Sequence, residues 1–564
     1  MEHAENREFT ALTLVSVTGA MLYLAGRQDL AFVLLAILSM IVFVRFVLIL
    51  SKRRFTVDLL MGIVGLVTLW HGALLEGLLV LALYGFAETI EELVEDYARR
   101  KVESLRELIP EYARVVEDGK IVEKPVRDIR PGDIVVVRVG ETVPVDGESL
   151  DEGQLDLSHI TGEPHPAPVR PGNTVPSGAT VVEGPIRVRA LRESRESTVQ
   201  KLVESALEAL EEKPRIARLL ERYSPHITLA VLAAYAGVHE LVDPVRALSI
   251  LLVGCPSAFI ITSSYSTSLA IAALARQGVA VLDSSVLEKL WRIDYLVLDK
   301  TGTLTTLTAR LVDNIDSETL SLIVGAARMS KHPVSNAIAR LGAKGRVVRV
   351  REIVGQGLVG AVEIRSGPEM ECGKTAEARV NGARALFCIE ESLTEGAREL
   401  VDEARHLGAR VMVVSGDTSK NVEKVSMAVG VESFMIGASP GAKANVVEEL
   451  SSKGRVVFVG DGVNDTIALA KAHVGIVVGD LDAPRSVADA VVPEGPKGIV
   501  LLFRAARLHR RALLVGFITI IIVKFIALIG GLLGIPLPLV ALLGDDGSTL
   551  AGITTVSLIL KKIL

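Results

Sequence analysis

The sequence predicts a multidomain membrane protein: an eight-helix α-helical transmembrane bundle carrying two soluble blocks, one mainly β and one alternating α/β. Three observations lead there. At 564 residues the chain is too long for a single core. Its composition is 49% hydrophobic and yet 23% charged, and the two classes occupy separate stretches. In the longer polar stretch, short β-branched runs alternate with helical patterns, the mark of a parallel sheet.

The helices come first. Spanning the hydrocarbon core takes about 20 mostly apolar residues. Eight stretches approach this: Thr10–Gly26, Leu30–Leu50, Val57–Trp70, Gly72–Glu88, Ile227–Val242, Ala247–Ala275, Ala512–Leu533 and Leu537–Leu560. The first lacks a basic flank before it and an A-x-A site after it, so it does not read as a cleaved signal peptide. If the eight alternate, the basic clusters Lys52–Arg54, Arg99–Lys101, Arg507/Arg510/Arg511 and Lys561-Lys562 share one side. The positive-inside rule makes that side the cytoplasm. The expectation is a multi-pass protein of the plasma membrane, with the lipid bilayer as its partner and both termini and both soluble blocks cytoplasmic.

The soluble blocks, 91–222 and 276–510, differ in pattern. In the first, Asp133–Val139 alternates behind Pro131-Gly132 and Pro185–Ala190 alternates behind Gly184, with helical patterns over Glu91–Leu108 and Ser197–Tyr223. In the second, the buried-strand candidates are Ile293–Leu298, Val411–Val414, Val456–Val459 and Val474–Val478. A net charge of −6 argues against a nucleic-acid partner. Cys255, Cys372 and Cys388 form no CxxC pair, and Cys372 and Cys388 read as inert thiols of a reducing compartment.

Three of the predicted strands end in chemistry: Asp299-Lys300-Thr301-Gly302-Thr303-Leu304-Thr305, Ser415-Gly416-Asp417 and Gly460-Asp461-Gly462-Val463-Asn464-Asp465. An open parallel sheet binds ligands beyond the carboxyl ends of its strands, so these loops should converge. A carboxylate there can attack a γ-phosphoryl group once Mg²⁺ and cations offset the repulsion. In the sixth apolar stretch, Pro256 of Cys255-Pro256-Ser257 removes a backbone donor and frees carbonyls beside a thiol. Lys524 and Asp545-Asp546 lie inside the last two stretches, and intramembrane ionisable residues are functional candidates by default.

These motifs resemble, from end to end, the heavy-metal branch of the P-type ATPases, with the zinc/cadmium/lead and cobalt-type pumps nearest. Asp299–Thr305 is similar to that family's DKTGTLT, on a core resembling the haloacid dehalogenase fold. The resemblance implies that Asp299, flanked by Lys300, accepts phosphate from ATP. It also implies Mg²⁺ held by Asp299, the Thr301 carbonyl and Asp461, with Asp465 in support. Asp417 then stands in the family's TGD, with Ser415 for threonine, and Lys443 is the lysine contacting the phosphorylated site. Thr161-Gly162-Glu163 resembles the actuator loop TGE, whose glutamate positions the hydrolytic water. Lys331-His332-Pro333 and Gly355-Gln356-Gly357 resemble the HP and GxG motifs, placing His332, Pro333, Gly355 and Gly357 on ATP. The family's pattern implies transmembrane helices in 1–90, 223–275 and 506–564, and an actuator domain in 91–222. It puts the phosphorylation domain in 276–305 and 391–505, and an α+β nucleotide-binding domain in 306–390.

For the transported ion, the resemblance implies Cys255, Ser257, Asp545 and Asp546 as ligand candidates, Lys524 as charge partner and Glu76 on the release path. Lys524 and Asp545 are 21 positions apart, as in the zinc/cadmium/lead pumps. One thiol with carboxylates suits a borderline divalent cation, Zn²⁺ first, then Cd²⁺, Pb²⁺ or Co²⁺. The chain departs from the family at Leu157, Ser257, Ala327 and Thr466-Ile467. Met1–Phe9 lacks the CxxC domain many such pumps carry, and a monomer is expected. The alternative reading is a non-transporting membrane phosphohydrolase or sensor that keeps the fold. Dehalogenase-type phosphatases usually have a second Asp where this chain has Thr301.

Overall fold

A computed structural model describes residues 2–50, 57–103, 109–117, 120–157, 166–313, 315–330, 333–341, 350–353, 357–368, 375–380, 382–417, 421–462, 465–479, 487–493 and 495–562. The chain divides into two compact units, 1–101 with 210–272 and 505–564, and 102–209 with 273–504.

Every apolar stretch of the first unit is helical: α1 (Glu2–Leu24), α2 (Gln28–Leu50), α3 (Val57–Trp70), α4 (Leu74–Glu103), α5 (Arg215–Val238), α6 (Pro244–Val253), α7 (Ser257–Arg276), α8 (Pro496–Leu532), α9 (Leu537–Ala541) and α10 (Ser548–Leu560). Leu35, Leu60, Leu78, Leu81, Leu248, Leu251 and Val540 form its core, while Ile518, Ile521, Ile522, Phe525 and Ile526 of α8 point outwards. An apolar outer face is what a lipid environment selects. Among the described residues, two helical stretches are long and apolar enough to cross a membrane, Pro244–Arg276 and Pro496–Leu532. The expected count of eight is therefore supported at two stretches by length and composition. Shorter apolar helices cover Thr10–Leu24, Gln28–Val42, Leu59–Trp70 and Leu74–Phe86.

Two helical patterns are broken, both by proline: one unexpectedly, the other where Pro256 predicted it. The Ser197–Tyr223 pattern splits into Thr198–Glu211 and α5, because Pro214 cannot donate to the ladder and caps the second helix instead. The Ala247–Ala275 stretch stops at Val253 and resumes at Ser257, on either side of Cys255-Pro256. Between α9 and α10 the backbone widens into a π turn over Leu542–Gly547, a feature frequent at functional sites.

Among the described residues, the second unit holds four sheets. Two antiparallel sheets lie between Tyr112 and Ala190, around a core of Val115, Val135, Val143, Ile186 and Val188. A seven-stranded sheet is built from β1 (Ala280–Val281), β2 (Tyr295–Asp299), β3 (Arg410–Val414), β4 (Ser433–Met435), β5 (Val456–Gly460), β6 (Val474–Val478) and β7 (Ala490–Val492). Its order is β1-β7-β6-β5-β2-β3-β4, parallel except for the edge strand β1. The β-branched runs read from the sequence are these strands, because a sheet buried on both faces needs apolar residues throughout. Between β2 and β3 the chain makes a six-stranded antiparallel sheet, from Thr305–Leu311 to Ala383–Leu393, backed by helices Ser317–Ala327 and Pro333–Ala339.

One cysteine expectation is corrected. Cys388, in the strand Ala383–Leu393, is disulfide-bonded, whereas Cys255 is a free, buried thiol.

Candidate functional site

The middle of the parallel sheet fixes the first site. Leu298 and Asp299 of β2 pair with Val413 and Val414 of β3, and Leu298 pairs with Val459 of β5, so the three loops open at the same sheet edge. Gly302 turns the Asp299 loop back on itself at φ +79°, a conformation that favours glycine, and Thr305 N–H donates to the Lys300 carbonyl at 3.1 Å. A Cβ on Gly302 would lie 3.7 Å from the Asp461 Cβ, so the first and third loops are in contact.

Lys443 comes from the first turn of the helix Pro440–Ser451, whose Ser439 hydroxyl accepts from Ala442 N–H and starts the helix. Its Nζ donates to Asp299 Oδ1 at 2.6 Å and to Asp465 Oδ1 at 2.8 Å. All three side chains are buried. Burial pushes the Asp299 carboxyl up to about 7; Lys443 pulls it down, while Asp465 and Asp461 push it up. Burial also raises Asp465 against the pull of Lys443. Burial opposes the charge of Lys443, but the two carboxylates outweigh it and hold its pKa above the usual lysine value.

Negative charge thus exceeds positive charge in this pocket. Asp465 Oδ2 is buried and takes no hydrogen bond. An orphaned carboxylate oxygen among oxygen donors fits Mg²⁺, a hard cation. Among the described residues no three His, Cys, Asp or Glu side chains converge closely enough to hold a metal alone. Carbonyl, water and phosphate oxygens would complete the shell, as is usual for Mg²⁺.

Lys300, 2% exposed, points elsewhere. Its Nζ donates to Glu391 Oε1 at 2.5 Å and to Asp417 Oδ2 at 3.3 Å, and Thr305 Oγ1 donates to the same Glu391 oxygen at 2.6 Å. Glu391 lies at the returning end of the antiparallel insert, beside Thr305 at its departing end. The sequence reading missed it; tandem Glu390-Glu391 after an apolar strand was the available signal.

The remaining soluble motifs are described only in part. Thr161, Gly162, Glu163, His332 and Gly355 lie outside the described residues. Pro333 opens a helix and Gly357 opens the strand Gly357–Gly360. Ala327 is fully buried in the core of the insert.

A second cluster lies in the helical unit. Cys255 Sγ donates to Ser257 Oγ at 3.0 Å, and Ser257 Oγ donates to Asp545 Oδ1 at 3.0 Å. Lys524 Nζ lies 3.9 Å from that Asp545 oxygen and donates to the Val253 carbonyl at 3.0 Å. That carbonyl is free because Ser257 N–H turns to Cys255 Sγ, at 3.4 Å, where α6 ends. Lys524 therefore closes the backbone gap made at Pro256 and faces the nearest carboxylate at once. Asp546 sits beside Asp545 on the π turn, 7% exposed. Glu76 lies in the first turn of α4, half-buried, and is not among these partners.

A buried carboxylate and lysine at the switch of a parallel sheet make phosphoryl-transfer apparatus of the dehalogenase class a natural comparison. Residues 293–473 match the haloacid dehalogenase-like hydrolase family and residues 107–207 match the P-type ATPase actuator domain. The zinc/cadmium/lead-transporting P-type ATPase of Escherichia coli (strain K12) is 28% identical over 96% of this chain and 78% of its own. The probable cobalt/nickel-exporting P-type ATPase of Mycolicibacterium smegmatis is 30% identical, covering 89% of this chain and 84% of its own. The solved structure of a zinc-transporting PIB-type ATPase in an E2.Pi state aligns over 99% of both chains with a TM-score of 0.55 and 26% identity. The chain belongs to the heavy-metal-transporting P-type ATPases. It is an ATP-hydrolysing, cation-translocating membrane enzyme.

Proposed function

We propose that the chain exports a borderline divalent cation, Zn²⁺ first and Cd²⁺, Pb²⁺ or Co²⁺ next, through an aspartyl phosphate on Asp299. The observation that carries the reading is the pairing of two separately built sites. One is a buried carboxylate held by Lys443 at a parallel-strand end. The other is a thiol–hydroxyl–carboxylate chain at a broken helix.

In this mechanism the Asp299 carboxylate attacks the γ-phosphorus of ATP, the bond from that phosphorus to the β-phosphate oxygen breaks and ADP leaves, and Lys443 offsets the charge that gathers on the transferred oxygens. Mg²⁺ would be held by Asp299, the Thr301 carbonyl and Asp461, supported by Asp465, and would neutralise phosphate charge. Lys300, fixed by Glu391 and Asp417, holds the loop that carries the nucleophile. His332, Pro333, Gly355 and Gly357 would seat the nucleotide. Glu163, with Thr161 and Gly162, would later position the water that releases phosphate.

At the second site, Cys255 and Asp545 bind the ion, with Ser257 as a neutral oxygen donor between them. Lys524 screens Asp545 while no ion is bound, and Glu76 serves the exit. The mixed soft and hard donors favour borderline ions over Cu⁺. Eight helices crossing the bilayer, with both soluble parts cytoplasmic and the protein acting as a monomer, complete the reading. The test is ATPase activity of the purified protein across a metal panel, together with ion uptake into vesicles in which the soluble domains face out. Zn²⁺-stimulated hydrolysis with Zn²⁺ accumulation is expected. Hydrolysis indifferent to every metal would leave the phosphohydrolase alternative in its place.

A further inference from the structure

Behind Asp545, on the side of the π turn, lies a small cavity lined by Met61, Leu83, Tyr84, Leu252, Asp545 and Asp546. The elements around it explain why it exists. In a regular helix two successive side chains diverge by about 100°. Over Leu542–Gly547 the wider π turn lets both carboxylates reach one space. Met61 reaches it from α3 and Tyr84 from α4, and these two side chains are 1% and 5% exposed.

The two carboxylates are differently served. Asp545 accepts from Ser257 and is faced by Lys524. Asp546 Oδ2 is buried in the same place and takes no hydrogen bond. Lys524 donates to the Val253 carbonyl at 3.0 Å and lies 3.9 Å from Asp545 Oδ1, so its placement serves the backbone and Asp545. A buried carboxylate oxygen with no hydrogen-bond donor is costly relative to one in water, so such a group favours a cation beside it. A thioether on the opposite wall is a soft donor, and two carboxylates are hard ones. That mixture matches the same borderline divalent class as the Cys255 end, with no thiolate required.

We propose that this cavity is a second station for the transported cation, held by Asp545, Asp546 and the Met61 thioether, and entered from the Cys255–Ser257 end. Asp545 belongs to both stations and passes the ion between them. Glu76 lies one turn before Val80, which also lines the cavity, so the second station opens along the α4 face that carries Glu76. The inference rests on the reading that an ion binds at Cys255 and Asp545.

The test uses the full-length protein, with Zn²⁺, Cd²⁺ and Co²⁺ as probes, and the variants Asp546→Asn, Met61→Leu and Cys255→Ala. Both cavity changes conserve volume, and labelling by inorganic phosphate verifies that each variant is folded. For Asp546→Asn, Zn²⁺-dependent phosphorylation from ATP should persist at near wild-type Zn²⁺ concentrations. Its steady-state Zn²⁺-ATPase should fall about 10-fold or more, because the ion enters but does not move on. Met61→Leu should lower the Cd²⁺-to-Co²⁺ activity ratio. The proposal is overturned if Asp546→Asn loses Zn²⁺-dependent phosphorylation as Cys255→Ala does, which would mean a single site. Wild-type turnover in Asp546→Asn with an unchanged metal ratio in Met61→Leu overturns it as well. If Cys255→Ala itself keeps Zn²⁺-dependent phosphorylation, the reading beneath the proposal fails, and the proposal with it.

Discussion

Replacing Lys443 with Met removes the one cation seen beside Asp299 among the described residues while keeping most of the side chain's volume. Its Nζ bonds Asp299 at 2.6 Å and Asp465 at 2.8 Å, and all three side chains are at most 8% exposed. Breaking a buried pair costs about 3–5 kcal/mol, because the abandoned charge stays buried. Mg²⁺ should recover part of that loss. The kinetic loss is separate: one charge-assisted hydrogen bond to the phosphoryl group is worth about 1.5–3 kcal/mol. At about 1.4 kcal/mol per decade, phosphorylation should slow by about 10- to 150-fold. The assay is rapid-quench phosphorylation from ATP at saturating Mg²⁺ and Zn²⁺, beside thermal unfolding with and without Mg²⁺. The double change Lys443→Met with Asp465→Asn separates the two effects. Removing one abandoned carboxylate should restore stability but not the phosphorylation rate. A phosphorylation rate within a factor of about two of wild type would refute the role given to Lys443, since it lies below the smallest loss the contact allows.

Glu391→Gln keeps the shape but weakens its hold on Lys300, so phosphorylation should slow while the Zn²⁺ activation profile stays put; a shifted metal profile would count against a role confined to the loop. Glu163→Ala should accept phosphate and lose it about 10²–10⁴-fold more slowly, as chased label would report, because the residue acts only in the second half-reaction. Cys255→Ala and Asp545→Ala should each abolish Zn²⁺-stimulated ATPase and lower bound zinc by elemental analysis, while labelling by inorganic phosphate survives. Ser257→Cys should raise the activity ratio of Cd²⁺ over Co²⁺, since a thiolate replaces an oxygen donor; an unchanged ratio would show that Ser257 does not touch the ion.

What the sequence discloses and what it hides follow from how far apart the partners lie. The Asp299 loop was legible because nucleophile, turn glycine and neighbouring hydroxyls are consecutive, and the four buried β-branched runs could only be sheet strands. The break at Pro256 was legible for the same local reason. Glu391 was not, since it is 91 residues from the lysine it holds and only the closing of an antiparallel insert brings them together. The π turn has no propensity signal, so nothing in Leu542–Gly547 announced that Asp545 and Asp546 would both face inwards. Met61 and Tyr84 were hidden by uniformity: in helices apolar on every side, periodicity does not tell which residue lines a cavity. Pro214 was overlooked inside an otherwise continuous amphipathic pattern. The closure of the Val253 carbonyl by Lys524 needed coordinates, because the lysine's charge drew attention to Asp545 and away from backbone.

The measurement closest to the central claim is acid-quenched labelling of the purified protein by γ-labelled ATP, with and without Zn²⁺, in wild type and in Asp299→Asn. The account expects an acid-stable, hydroxylamine-sensitive phosphoenzyme that depends on Zn²⁺ in wild type and is absent from the variant. Hydroxylamine-sensitive label on Asp299→Asn, or wild-type label that forms equally well without any transported metal, would contradict it.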